Sequence, residues 1–281
     1  MERILRVAKV LLLVFCSMSC STNIEEFKKK NIVEVTGEEI KVLTAQELVG
    51  VHKTESGKEL QWNKCRAKST ESGWVLVVSG GKPLPSSGFC KEGIAQALLT
   101  NGYKVIGINR ANQGASRMLV DYGGDSSLQA FMSTLKSEGL ELSGVWSEGF
   151  GSILASRIAK KLSIKWVILG NGIYDLESYM DLQVSSEALG LKDLVSREGE
   201  DAFERRSIAW DYEGFPKQIY LYQSQSINPS QKGIAKEFVE GLAAAGHKVS
   251  LKTVKSNSTE MSASDHGALI LDAFQFFSTD K

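Results

Sequence analysis

From residue 74 onward, short apolar runs alternate with amphipathic stretches of ten or more residues, and this alternation constrains the fold more than any other feature of the chain. Parallel strands need a crossover of about a dozen residues, usually a helix, so the pattern predicts a mostly parallel sheet with helices packed on it. The runs Trp74–Ser79, Lys104–Asn109, Leu142–Trp146, Lys165–Leu169, Gln218–Tyr222 and Lys248–Val254 read as strands. Helical spacing recurs over Lys91–Asn101, Ser127–Glu138, Gly149–Leu162, Gln231–Ala245 and Gly267–Phe277. Upstream, Ile32–Ala45 and Glu59–Ala67, with a polar turn at Glu55-Ser56-Gly57-Lys58, read as two or three antiparallel edge strands. The expected class is therefore α/β, with eight strands in one domain over residues 32–281. Residues 175–214 break the alternation with mixed charged and apolar sequence, too long for a plain loop, and read as a small helical insert over the active face.

Composition narrows the partners. With 33 basic and 33 acidic side chains in 281 residues, and no Lys/Arg stripe, the chain has no field to attract a phosphate backbone. Nucleic acid is a poor partner and a small molecule a better one. A hydrophobic share of 42% and a charged share of 23% exclude a disordered chain. Absence of a CxxC or Cys/His cluster leaves no metal implied, and no organic cofactor is implied either.

The first residues follow a different logic. Arg3, Arg6 and Lys9 precede an unbroken apolar run from Val10 to Cys16, shorter than a membrane-spanning helix requires, and small residues lead to Cys20. The ending Ser17-Met18-Ser19-Cys20 resembles the lipobox of bacterial lipoproteins, although Ser17 stands where Leu is usual. That resemblance implies a signal peptide over residues 1–19, acylation of Cys20, a tether over residues 20–31, and a cell-envelope protein facing the periplasm, anchored in the membrane by lipid. An ordinary signal peptide cut nearby is the alternative. In an oxidising compartment Cys65 and Cys90 can form one disulfide or stay as two separate buried thiols, and their spacing does not choose between these.

The strand Leu142–Trp146 runs into Ser147-Glu148-Gly149-Phe150-Gly151 and then into a helical stretch. Strand, serine, glycine turn and helix in that order resemble the nucleophile elbow of the α/β-hydrolase family, with Ser147 at the nucleophile position and Val145 where G-x-S-x-G has its first glycine. A serine at such a turn is otherwise a helix N-cap. Other segments fall in the family's order. Gly80-Gly81-Lys82 follows the strand at 74–79, where the family has its oxyanion loop, which implies an oxyanion hole from Gly81 and the amide of Glu148. Asn109 to Ser116 resembles the D-x-R-G-x-G-x-S element, keeping Gly114 and Ser116. Asp265-His266-Gly267 stands where the family keeps its general-base histidine, and of the three histidines only His266 is so placed.

The resemblance lacks an acid at its usual place. Gln223 to Pro229 (QSQSINP) aligns with the acid-bearing segment after the corresponding strand and contains no carboxylate. Two carboxylates could replace it: Asp265, next to the histidine in sequence and so badly placed to face it, and Asp175, after the preceding strand at the alternative acid position, which is the preferred third member; the bland reading of Asp175 is an N-cap for the helix that starts at Leu176. The implied activity is that of a serine hydrolase of esterase, thioesterase or amidase type, acting on a small-molecule acyl substrate through a Ser147 acyl-enzyme. A loose likeness to the thioesterases of bacterial luminescence, in the ESGKELQW hairpin and the Ser-Gly-Gly loop, does not select a substrate. The alternative is a non-catalytic lipoprotein of the same fold that binds a ligand or an envelope protein, suggested by the missing acid and by Val145.

Overall fold

The computed structural model describes residues 32–33, 43–181, 186–255 and 263–279. Residues 1–31, where a signal peptide, an acylated Cys20 and a tether are expected, lie outside the described residues, as do residues 34–42. The strands are β1 (Ile32–Val33), β2 (Ala45–Lys53), β3 (Glu59–Ala67), β4 (Trp74–Val78), β5 (Lys104–Ile108), β6 (Leu142–Glu148), β7 (Trp166–Gly170), β8 (Gln218–Ser224) and β9 (Lys248–Val254). They form one sheet in the order β1-β9-β8-β7-β6-β4-β5-β3-β2. Eight strands are of ordinary length, β4 to β9 run parallel to their neighbours in that block, and β2 and β3 are antiparallel at one edge. The expected eight-stranded, mostly parallel sheet is what the chain forms.

Two departures from the sequence reading bear on the sheet edges and the site. The edge strand expected over Ile32–Ala45 instead begins at Ala45 and runs to Lys53, while Ile32–Val33 adds a short parallel strand beside β9 at the opposite edge. Strand β6 continues through Ser147 and Glu148, two residues beyond the predicted end at Trp146.

Helices α1 (Gly93–Thr100) and α7 (Ala263–Ser278) cover one face of the sheet, and α2 (Asp125–Ser137), α3 (Gly151–Lys161) and α6 (Pro229–Ala244) cover the other. Because successive strand residues point to opposite faces, each central strand supplies both layers. Val75, Val77, Trp146, Ile168, Tyr220 and Tyr222 pack with Leu98, Leu99, Ile270 and Ala273. Leu76, Val78, Val145, Leu169, Ile219 and Leu221 pack with Phe131, Leu154, Ile158 and Phe238. The interruption of the alternation is helical: α4 (Leu176–Asp181) and α5 (Ser186–Glu198) fold over the start of α3, and Leu176, Leu191 and Leu194 pack with Phe150 and Ile153.

Cys65 on β3 and Cys90, in the single helical turn Phe89–Lys91, are joined by a disulfide with Cα atoms 5.5 Å apart. It closes a sequence separation of 25 residues, for which chain entropy gives about 3 kcal/mol of stabilisation. A Cys65→Ala, Cys90→Ala double variant should therefore be less stable than the oxidised protein by a free energy of that order, seen as a lower urea midpoint. Equal midpoints would show that the crosslink contributes nothing to stability.

Candidate functional site

The end of β6 is organised by one close approach. A Cβ placed on Gly151 would lie 2.1 Å from Ser147 Oγ and 2.6 Å from the carbonyl oxygen of Ser79, so position 151 tolerates only glycine. Between them the chain reverses at Gly149, which has φ +53°, in the left-handed region that side chains disfavour. The reversal is pinned by Gly149 N–H to Gly170 O at 3.0 Å, Ser152 N–H to Gly149 O at 3.0 Å and Ile173 N–H to Gly149 O at 3.3 Å.

This geometry corrects the position assigned to Ser147. In a nucleophile elbow the residues two before and two after the apex are small because they meet beneath it. Here those residues are Ser147 and Gly151, and the apex is Gly149. Ser147 thus occupies the place of the first glycine of G-x-S-x-G, Gly149 stands in the place of the serine, and Val145 lies below the turn on the strand. Ser147 is fully buried, and its hydroxyl donates to Val78 O at 3.0 Å. It shares the face of Val145, under α3, and does not line the pocket described next.

A pocket of about 740 Å³ opens above the apex. Its walls include Leu84, Phe89, Ile94, Phe150 and Ile173, and its polar groups include Glu148 and His266. Glu148 arrives there through strand alternation: it is on the same face as Trp146, the face that α7 covers, whereas Ser147 points the other way. His266 is in the first turn of α7, which begins at Ala263, earlier than the expected start at Gly267. Its Nε2 is 3.4 Å from Glu148 Oε1, and its ring meets that of Trp146 edge-on at 5.4 Å.

Tyr222 completes this group. The ladder aligns Glu148, Gly170 and Tyr222 across β6, β7 and β8. A Cβ on Gly170 would lie 2.1 Å from Tyr222 Cζ, so the glycine leaves room for the phenol to cross β7 and donate to Glu148 Oε1 at 2.6 Å. Burial, and then the Glu148 charge, raise the Tyr222 hydroxyl well above its ordinary pKa, which keeps it neutral and donating.

The Gly80-Gly81 loop is held from behind. Arg110 donates from Nε to Ser79 O at 2.8 Å and from Nη2 to Gly80 O, and Gln113 Nε2 donates to Gly80 O at 3.2 Å and Gly81 O at 3.3 Å. Burial lowers the Arg110 guanidinium to about 10, still charged at neutral pH. In a trans peptide the N–H points opposite the carbonyl, so anchoring Gly80 O turns the Gly81 amide away from Arg110. A Cβ on Gly149 would find that amide nitrogen as its nearest neighbour, at 3.8 Å. Gly81 is thus beside the apex. Glu148 enters the site by its carboxylate, and the amide that follows the apex belongs to Phe150.

Asp175 is placed elsewhere. Its carboxylate accepts from Ser178 N–H at 3.1 Å, from the Ser178 hydroxyl and from Ser207 Oγ at 2.7 Å, capping α4. It lines a separate small cleft with Gly172 and Tyr174, and the pocket that holds His266 does not include it. The bland reading of this residue is the observed one. The segment after β8 likewise brings no acid: Ser224 N–H donates to Asn171 Oδ1, Asn228 caps α6, and Ile227 lines the pocket. His266 meets the carboxylate of Glu148, a residue that the sequence reading considers only for its amide. Alternation along β6 was the available signal. Among the described residues no group of three His, Cys, Asp or Glu side chains could hold a metal ion.

Chemically, the pocket offers a histidine beside a carboxylate and a loop amide, without a free nucleophile among its described lining residues. Ser79 lines it, but its hydroxyl is engaged with Gln113 Oε1 and with Arg110 N–H at 2.8 Å.

Two substitutions separate structural from pocket roles. Ser147→Ala removes one buried hydrogen bond and should cost about 1 kcal/mol of stability while leaving pocket occupancy unchanged. Asp175→Ala should cost about 1 kcal/mol through loss of the cap. Burial alone would raise the Asp175 carboxyl, but its Ser178 and Ser207 donors prevail and hold it below the ordinary 3.8. That contribution is full above 3.8 and is lost as pH falls through the lower native value, so the gap between wild type and Asp175→Ala should close in acid. Urea melts at neutral and acid pH measure both effects. A gap that persists in acid would contradict the cap assignment.

No protein-family model matches the chain, and no curated protein sequence matches it. Among solved structures it is similar to the acylaminoacyl peptidase of Pyrococcus horikoshii, with TM-score 0.65 and 15% identity over 85% of this chain and 41% of that one. A puromycin-hydrolysing peptidase of Mycobacterium tuberculosis has TM-score 0.64 and 17% identity over 82% of this chain and 38% of that one. Dipeptidyl peptidase 4 of Porphyromonas gingivalis has TM-score 0.58 and 12% identity over 83% and 35%. This chain spans less than half the length of each of those peptidases. Sheet order, elbow and these likenesses together assign the chain the α/β-hydrolase fold.

Proposed function

We propose that this protein binds a small, largely apolar ligand in the pocket above Gly149 without forming an acyl-enzyme. What supports this reading is the apex itself. Catalysis by a serine elbow needs an oxygen nucleophile projecting from the strained turn beside the base, and Gly149 has no side chain to project. The Ser147 acyl-enzyme implied by the sequence would need a hydroxyl that is instead buried on the opposite face of β6. Apolar walls and a few convergent polar groups are the usual make-up of a ligand pocket.

The surviving features of the fold suggest the test. Gly149→Ser supplies an oxygen at the apex, where a Cβ meets nothing closer than 3.8 Å, at a cost of about 1 to 2 kcal/mol for the left-handed backbone. A fluorophosphonate probe should label the Gly149→Ser protein at residue 149 and leave wild type unlabelled. Labelling of wild type at Ser147 would overturn the binding reading and restore the acyl-enzyme.

A second reading is favoured by the pairing of His266 with Glu148. A histidine beside a carboxylate can act as a general base toward water, giving hydrolysis of an activated ester with no covalent intermediate. Under this reading wild type turns over p-nitrophenyl acetate and His266→Ala does not. Under the binding reading neither protein shows turnover above the uncatalysed rate.

The setting we propose is the cell envelope, with Cys20 as the lipidated residue, on the strength of the apolar run and the small residues before it. Cys20→Ala should then move the protein from the membrane fraction to the soluble fraction. Retention of that variant on membranes after a salt wash would refute the anchor.

A further inference from the structure

Glu148 lines a pocket whose other walls are largely apolar, and one of its two carboxylate oxygens has no donor among the described residues. Both of its contacts, the hydrogen bond donated by Tyr222 at 2.6 Å and the approach of His266 Nε2 at 3.4 Å, fall on Oε1. Oε2 accepts no hydrogen bond from the described residues, and the side chain keeps about 22% of its surface exposed. A carboxylate fixed through one oxygen cannot turn away to solvent without breaking those bonds. Withdrawing it from water carries a penalty that a partner for the second oxygen would offset. The neighbouring rings add to this preference: Trp146, Phe150 and Tyr179 line the same cavity, and aromatic faces attract cations.

Building on the pocket reading of the previous section, we propose that Glu148 Oε2 is the anchor for a primary ammonium group on a ligand with an aromatic or aliphatic body. A compact ammonium can pair with a single carboxylate oxygen through one of its three donors. A guanidinium or amidinium makes its strongest contact bidentately, and here Oε1 is already taken by Tyr222 and His266. A carboxylate ligand would face Glu148 as a like charge. The other ionisable side chains lining the pocket are Lys82, Glu92 and His266. Lys82 is already engaged in an interaction of its own.

The experiment is calorimetric titration of the intact protein at neutral pH with three probes of similar body: 2-phenylethylammonium, 2-phenylethanol and 3-phenylpropanoate. The ammonium should bind at least tenfold more tightly than the alcohol, and the carboxylate most weakly. Glu148→Gln, which keeps an acceptor for Tyr222 but loses the charge, should bring the ammonium down to the level of the alcohol. Benzamidine should not outrank the ammonium on wild type. Equal binding of ammonium and alcohol, or an ammonium preference that survives Glu148→Gln, would overturn the ammonium assignment and leave the pocket reading standing. Failure of all the probes to bind would overturn both. Thermal unfolding of Glu148→Gln checks that any loss reflects the charge and not unfolding.

Discussion

The contact between Ser147 and Gly151 is the constraint from which the rest of the site follows. A tight strand-to-helix reversal requires two positions, four residues apart, to come within van der Waals distance, and only glycine at 151 admits the Ser147 side chain. Once these two residues close the base of the turn, residue 149 is its apex, and the left-handed backbone there suits glycine. Strand alternation then sends Ser147 toward α3 and Glu148 toward α7. A hydrolase frame results in which a carboxylate, not a serine hydroxyl, reaches the pocket.

Supporting residues make the arrangement rigid. Gly170 clears a path for the Tyr222 phenol, which fixes Glu148 from across β7. Arg110 and Gln113 hold the carbonyls of the Gly80-Gly81 loop, which keeps its backbone in one orientation beside the apex. Asn109 and Gln113 depart from or fall within the variable part of the element expected at 109–116, yet they are structural. Asn109 binds Leu84 N–H and O, next to the loop, while Gln113 takes the Ser79 hydroxyl. The frame that supports acyl transfer in other proteins of this fold is thus retained in hydrogen bonds while the apex oxygen is absent.

Much of this was legible in the sequence, and the failures have physical causes. Alternating strands and helices gave the sheet because buried parallel strands must be apolar on both faces, and Lys248–Val254 was placed without error. The elbow segment was also found. Its register was misread because the strand was ended at Trp146, where the apolar run stops, and polar Ser147 and Glu148 look like turn residues. Hydrogen bonding to β7 carries the strand two residues further, and that pairing is not visible in local composition. A strand that ends two residues early puts the apex at Ser147. Asp175 was preferred as the acid because its strand end lies on the correct edge of the sheet. Nearby Ser178 and Ser207, one local and one distant in sequence, claim it as a cap. The Glu148–Tyr222 bond depends on the register of three strands, which no single segment encodes.

The central claim is that the turn reverses at residue 149 with Ser147 beneath it, and a crystal structure of the wild-type protein tests it most directly. The account predicts a positive φ at Gly149, Ser147 Oγ within hydrogen-bond distance of Val78 O, and Glu148 facing His266 across the pocket. Density showing the left-handed turn at Ser147, with its Oγ exposed and within hydrogen-bond reach of His266 Nε2, would contradict it.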